Sequence, residues 1–169
     1  MPDATGLELT AHELRDANAE AVLGTTFYRG RAELQVAPAH VVEVLTTLRG
    51  KGYRTLASLH GVDYYPDEPR LGVLYELLDM KQVDRISVKA RVSTEDPHIP
   101  TATGLFPGAE FPEREVFDMF GVVFDGHPDM RRILMPEDFP GFPQRRDFPI
   151  GGEPVLFTYN EENSYGKWQ

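Results

Sequence analysis

Ten of the fourteen prolines in this 169-residue chain fall between Pro97 and Pro154. Proline fixes φ near −65° and has no N–H to donate, so neither a long helix nor a central strand runs through such a stretch. The most restricted part is Glu113 to Pro149, EREVFDMFGVVFDGHPDMRRILMPEDFPGFPQRRDFP. It opens as a helix. Glu113 to Phe120 holds no Gly or Pro, and Val116, Phe117, Met119 and Phe120 can supply a buried face. Gly121 stands where a helix end needs a residue that takes φ > 0 at little cost. Val122-Val123-Phe124 suits a short strand. Beyond it, Pro128, Pro136, Pro140, Pro143 and Pro149 exclude regular structure, and two pairs, Arg131-Arg132 and Arg145-Arg146, punctuate the run with acids beside each. A segment this long and irregular is disordered, or functional, or laid against something else.

The chain before it reads as a compact α+β unit. Thr10 and Glu13 fit a capping box with Leu9 and Leu14 as its staple, which predicts a helix with Leu14, Ala17, Ala21 and Val22 on one face and Gly24 at its end. Ala32, Leu34 and Val36 alternate with Arg31, Glu33 and Gln35, as in a half-buried strand. Pro38 opens a second helix, with Val41, Val44, Leu45 and Leu48 buried and Gly50 at its end. Three strands follow, over Tyr53 to Asp63, Leu71 to Leu78 and Arg85 to Val92. The second is apolar enough to be central and covered on both faces. The third points Ile86, Val88, Ala90 and Val92 inward and Arg85, Ser87, Lys89 and Arg91 outward, and a turn of five to six residues around Lys81-Gln82 makes these two a hairpin. The fold class predicted is α+β: a mostly antiparallel sheet with helices packed on one side, followed by an extended Pro/Arg-rich C-terminal segment. Residues 1–150 read as one domain with its independent core from Leu9 to Val92. Residues 151–169, with Phe157, Tyr159, Tyr165 and Trp168, read as a C-terminal docking tail, mobile in the free chain.

Composition removes several functions. The chain has no cysteine, hence no disulfide, no thiolate zinc site and no cysteine-held iron–sulfur cluster. A net charge of −10 opposes binding to phosphate backbones and anionic lipid, so nucleic acid is excluded as a partner and membrane association is expected only through other proteins. No run of eighteen apolar residues could span a bilayer, and the acidic N-terminus resembles neither a signal peptide nor a presequence.

Some constellations carry two readings. Glu113, Glu115, Asp118 and His127 could be a carboxylate–histidine metal site, and Glu115, Asp118 and His127 a hydrolase centre. But Glu113 lies off the face shared by Glu115 and Asp118, and a His beside Pro128 in a turn is more often a backbone cap. Glu113-Arg114-Glu115 could be a solvated acidic turn. The favoured reading pairs Arg114 and one Glu with Arg131, Arg132 or Asp147 and so fastens the proline-rich segment to the sheet. From Arg91 to Gly166 every Lys/Arg position is Arg, the cation suited to bidentate and interfacial contacts. Arg145 and Arg146 lie on an extended strip and point different ways. One is expected to pair with Asp147 or an acid of the Glu113 helix, and the other to face a partner.

At this point the residues are similar to a known signature. Glu113-Arg114-Glu115, Asp118-Met119-Phe120-Gly121, Gly126-His127-Pro128-Asp129, Arg131-Arg132-Ile133-Leu134, Pro136-Glu137-Asp138, Gly141, Pro143, Arg145 and Asp147-Phe148-Pro149 closely resemble the 30-kDa-type (C-type) subunit of respiratory complex I, the NADH:quinone oxidoreductase. Phe111 and Phe139 stand where that family usually has Trp. Phe142, Gln144 and Arg146 stand for a usual His, Leu and Lys. The resemblance implies a non-catalytic subunit of the peripheral arm, on the cytoplasmic side of a bacterial membrane. It implies docking against the 49-kDa-type (D-type) subunit of the quinone site, through this proline–arginine segment with Arg145 or Arg146 reaching the partner. It implies no cofactor in this chain, within a complex that uses NADH, FMN, Fe-S clusters and quinone. Related ferredoxin- or F420-dependent complexes and membrane-bound hydrogenases carry similar subunits.

Overall fold

The computed structural model describes residues 4–149. Helix α1 (Ala4–Ala17) precedes strands β1 (Val22–Tyr28) and β2 (Arg31–Val36). A 3-10 turn at Pro38–His40 leads into α2 (Val41–Lys51), then β3 (Thr55–Asp63), β4 (Leu71–Asp79) and β5 (Asp84–Val92). Short β6 (His98–Pro100), α3 (Glu110–Phe120) and β7 (Val123–Asp125) complete the order. Among the described residues, five strands form one sheet in the order β1-β2-β5-β4-β3, and β6 pairs with β7. The β2–β5 pair is parallel and the rest of the five-stranded sheet antiparallel, so the α+β expectation holds.

Register builds the core. Leu34 lies opposite Val88 and Val88 opposite Tyr75, so one face of the sheet presents a continuous apolar row. Leu7, Ala11 and Leu14 of α1, and Val41, Val44, Leu45 and Leu48 of α2, are buried in the same cluster. The core does not stop at Val92. Ile99, Phe106, Val116, Met119, Val122 and Phe124 belong to it, so α3 and the β6–β7 pair are structural walls of the domain. β4 is central and nowhere exposed, as expected, but its second face has no added layer of its own. There Glu76 is buried by Arg85 and Ser87, which donate to it at 2.7 Å each, and the Tyr64 ring closes over Gly72.

Four boundary expectations change. Thr10 lies inside α1, and Leu9 is 62% exposed, so the capping box and staple are not formed. Ala21 and Val22 are buried, but Val22 begins β1, and Gly24 sits in that strand, not at a helix end. The second helix ends at Lys51, and Gly52 caps it with φ 121°. The hairpin turn between β4 and β5 is four residues, Met80 to Val83, because Asp79 and Asp84 already pair.

Candidate functional site

α3 begins at Glu110, with Pro112 in the first turn, where its missing N–H leaves no bond unmade. Its sequence presents Glu113 and Asp118 inward, and both are fully buried. An ionised carboxylate in such a place needs donors. Glu113 accepts from the Thr101 hydroxyl at 2.5 Å and the Ala102 N–H at 2.7 Å, so it ties α3 to the strand-end loop after β6. Burial pushes its pKa up, against the pull of those two donors. It bonds no arginine, and Glu115 is exposed, so neither glutamate makes the expected Arg pair.

Asp118 fastens the irregular segment. Its Oδ2 accepts the consecutive N–H groups of Ile133, Leu134 and Met135 at 3.0, 2.7 and 2.9 Å. Its Oδ1 accepts from Arg132 Nη1 at 2.7 Å. Burial alone would raise the Asp118 pKa, but these donors together hold it below the usual carboxylate range. Arg132 also donates to the carbonyls of Phe139 and Gly141 at 3.0 and 2.9 Å, so one guanidinium gathers the loop ends. Arg114 donates to the carbonyls of Arg131 and Arg132 at 3.1 and 3.0 Å. Arg131 holds Asp129 bidentately at the surface.

A third anchor was not legible in the sequence. Arg70, at the start of β4, donates to both oxygens of Asp63 at 2.7 and 2.6 Å and to both oxygens of Asp147 at 2.7 Å. Asp63 is 3% exposed and Asp147 52%. Asp63 also accepts the N–H of Arg146 at 2.7 Å. The paired guanidinium holds the pKa of both acids low, and the Asp63 and Asp147 carboxylates raise that of Arg70. The internal partner expected for Asp147 is therefore Arg70, not Arg145 or Arg146.

Arg145 turns inward without meeting a carboxylate. Its Nε donates to the Phe120 carbonyl at 2.6 Å and its guanidinium lies 4.5 Å over the Phe142 ring. Burial lowers its pKa. The close fit explains Gly121, whose φ is 76° and where any Cβ would lie 2.5 Å from Phe142 and 2.7 Å from Arg145 Nη2. Arg146 is exposed, with one long contact of 3.4 Å to the Tyr65 carbonyl.

The less favoured metal reading fails on geometry, and His127 is the backbone cap that its place beside Pro128 suggested. His127 accepts the Asp129 N–H at Nδ1, 3.0 Å, which leaves Nε2 to carry the proton and donate to the Glu110 carbonyl at 3.0 Å. With Asp118 spent on Arg132 and three N–H groups, Glu115, Asp118 and His127 do not converge. Among the described residues no group of three or more His, Asp or Glu is placed to hold a metal ion. Gly126 and Gly141 take positive φ at loop bends, and Pro128, Pro136 and Asp138 are exposed, with Pro143 half-buried. The segment's outer surface shows Leu134, 60% exposed, and Ile133, 38% exposed. Phe111 of α3 is 59% exposed, and Glu137, Asp138 and Arg146 also reach solvent. The 151–169 tail lies outside the described residues.

Similarity to known proteins spans the sheet and the proline-rich segment together. The family described as "Respiratory-chain NADH dehydrogenase, 30 Kd subunit" matches residues 34–154. The chain is 44% identical over 168 residues to the C-type subunit of NADH-quinone oxidoreductase from Roseiflexus sp. (strain RS-1), covering 98% of this chain and 94% of the relative. It is 41% identical over 163 residues to the same subunit from Xanthobacter autotrophicus, covering 95% of this chain and 77% of the relative. Among solved structures it resembles the trypsin-resistant fragment of Nqo5, with TM-score 0.60 and 36% identity over 70% of this chain and 96% of that one. A chain of an archaeal membrane-bound sulfane sulfur reductase, at 23% identity and TM-score 0.70 over 94% of this chain and 98% of that one, shares the fold.

Proposed function

The chain belongs to the family of the 30-kDa subunit of respiratory-chain NADH dehydrogenase, and on that premise we propose that it is a non-catalytic structural subunit of a proton-translocating NADH:quinone oxidoreductase. In this reading it sits in the peripheral arm at the cytoplasmic face of the membrane and docks against the 49-kDa-type (D-type) subunit. It supports electron transfer from NADH through FMN and iron–sulfur clusters to quinone without holding a redox group. The observation that carries the reading is 44% identity over nearly the whole chain to a C-type subunit of NADH-quinone oxidoreductase. The geometry supports it. Glu113, Asp118, Arg132 and the Asp63–Arg70–Asp147 group are all engaged in fixing loops and the proline-rich segment. Asp118, Arg132 and the Asp63–Arg70–Asp147 group fix an outward strip of Ile133, Leu134 and Arg146; the buried centre of an interface is apolar and Arg is enriched there. In the same reading residues 151–169 also serve docking.

No helix among the described residues is long and apolar enough to cross a membrane, and in this reading attachment to the membrane runs through the partners. The test is complementation of a strain lacking the gene with wild type, Arg146→Glu and Leu134→Glu. Both side chains are exposed, so the free subunit should keep its melting temperature. Assembled complex, its content of the 49-kDa-type partner and NADH:quinone activity of membranes should fall, because a charge reversed at an interface costs on the order of several kcal/mol. Normal assembly and full activity in both variants would overturn the docking assignment.

A further inference from the structure

The Asp63–Arg70–Asp147 anchor lies at one end of the β3–β4 pair. At the other end, a strand length of about 26 Å away for nine residues, is a second surface of different character. A cavity of about 360 Å³ opens between the end of α2 and the β4–β5 turn, walled by Gly50, Gly52, Leu78 and Met80. Arg54 and Lys81 stand at its rim, and neither side chain has a hydrogen bond or ion pair among the described residues. The neighbouring acids are engaged. Asp79 accepts the N–H groups of Lys81 and Gln82 at 2.8 and 3.2 Å, and Asp84 accepts the Tyr53 hydroxyl at 2.9 Å. Lys51 is paired with Glu13.

The turn itself is built against its own stability. Val83 takes φ 52°, a left-handed conformation that strains a β-branched residue and that Gly or Asn would take freely. It is 81% exposed, and Met80 is 71% exposed, so neither gains burial among the described residues in return. The surrounding structure holds this strain, through Asp79 on the Lys81 and Gln82 N–H groups, and strain held in this way clusters at functional sites.

We propose that this end of the sheet is a second docking surface, which takes an acidic segment of another subunit, its carboxylates on Arg54 and Lys81 and an aliphatic side chain in the cavity beside Met80. The chemistry selects this occupant. Two unpaired cations in a chain of net charge −10 call for carboxylate, while Met80, Val83 and Leu78 offer apolar contact that a free anion would leave unused. The chain would then act as a spacer, with one partner at each end of β3 and β4. The proposal rests on the chain working inside a larger assembly, but not on which partner the proline-rich strip holds.

The experiment places a photo-crosslinking amino acid at Gln82 in the complex assembled in its own membrane, with a second probe at Leu134 as an independent report on the other face. Crosslinked peptides are identified by mass spectrometry. The expected result is a Gln82 crosslink to one segment of another subunit with Asp or Glu within a few residues. It should weaken about tenfold in Arg54→Glu/Lys81→Glu and persist in Arg54→Lys/Lys81→Arg. Melting of the free variants checks that the fold is kept, as it should be for two exposed side chains. A Gln82 probe that crosslinks only lipid, only a second copy of this chain, or nothing while the Leu134 probe reports normally would overturn the proposal. So would a crosslink that ignores the charge reversal. A silent Leu134 probe beside a normal Gln82 crosslink would instead overturn the assignment of the strip.

Discussion

Asp118→Asn tests whether one buried carboxylate holds the proline-rich segment. The substitution keeps the shape and removes the charge. The amide can turn its oxygen to the N–H groups of residues 133–135, but its NH₂ then faces Arg132 Nη1, donor to donor, where 2.7 Å now separates an ion pair. The reverse rotamer sets the NH₂ against three N–H groups instead. In the better rotamer one charge-assisted bond worth about 1.5–3 kcal/mol is lost. Three more become neutral and weaken to roughly half. The sum is on the order of 3–4 kcal/mol, the range found on breaking a buried pair. For a chain of this length that lowers Tm by roughly 6–15 °C. If the segment can lift off before the sheet melts, part of this loss appears as local opening instead. Hydrogen exchange separates the two, because the amides of Ile133, Leu134 and Met135 should lose protection while those of β4 and β5 keep theirs. Arg132→Met should do similar damage, and the double variant should cost less than the two singles added. Unchanged protection at the three amides together with a Tm shift under about 2 °C would refute the anchor.

The Asp63–Arg70–Asp147 anchor should be asymmetric: Arg70→Met strands Asp63, which is 3% exposed, and should cost about 3 kcal/mol or more, whereas Asp147→Asn, half in solvent, should cost about 1 kcal/mol. Equal denaturation midpoints would contradict this. In pH titration of stability, Asp63, Asp118 and Asp147 have folded pKa values below their unfolded ones, so their contribution is complete above about pH 4 and is lost as the pH falls further. Glu113 has the opposite sign: its raised folded value makes stability decline as the pH climbs from 4.5 through that value, so Glu113→Gln should flatten that decline and leave the acid limb in place. An acid limb unchanged in Asp118→Asn would count against the assignment. Gly61→Ala puts a Cβ 2.4 Å from the Phe120 ring and should cost about 1–3 kcal/mol, while Gly50→Ala, in the last turn of α2 with open space around it, should stabilise by about 0.5–1 kcal/mol; thermal melts of the pair decide both.

Elements with strong periodicity were legible. α2, β2, β4 and β5 follow the apolar spacing read from the chain, and Gly121 ends α3 as its residue type demands. β1 was not legible. Its run Val22 to Tyr28 is buried only at its first residue, so it lacks the alternation that marks a half-buried strand, and Gly24 imitates a helix stop. The anchors were half legible. Adjacent residues on an extended strip do face opposite ways, and Arg145 turns in while Arg146 stays out. The inward partner was misread because carboxylates were sought. The last carbonyls of a helix are unpaired acceptors, and Phe120 closes α3, so an inward Arg finds a carbonyl there without any acid. Asp63 and Arg70 lie seven residues apart, but their third partner lies 77 residues from Arg70, and no local pattern encodes that meeting.

Backbone accounting explains why the anchors are charged. A segment interrupted by Pro128, Pro136, Pro140, Pro143 and Pro149 cannot build a helix or a ladder, so its N–H and C=O groups need partners from elsewhere. Apolar packing would hold the segment's weight but leave those groups unpaired. A carboxylate from the folded body has several acceptor sites and can take a run of N–H groups, as Asp118 does at 133–135 and Asp63 does at Arg146. A guanidinium has five donors in a plane and can reach two carbonyls at once, as Arg132 does at Phe139 and Gly141 and Arg114 does at Arg131 and Arg132. Lysine has one nitrogen and cannot span such a pair, which gives the absence of Lys across this region a physical reason. With the segment held by polar bonds rather than by burying its own apolar residues, Ile133 and Leu134 face outward. A segment built in this way has its conformation set before any partner arrives. Binding then need not pay for ordering it, which favours a fixed docking strip over a disordered one at the same site.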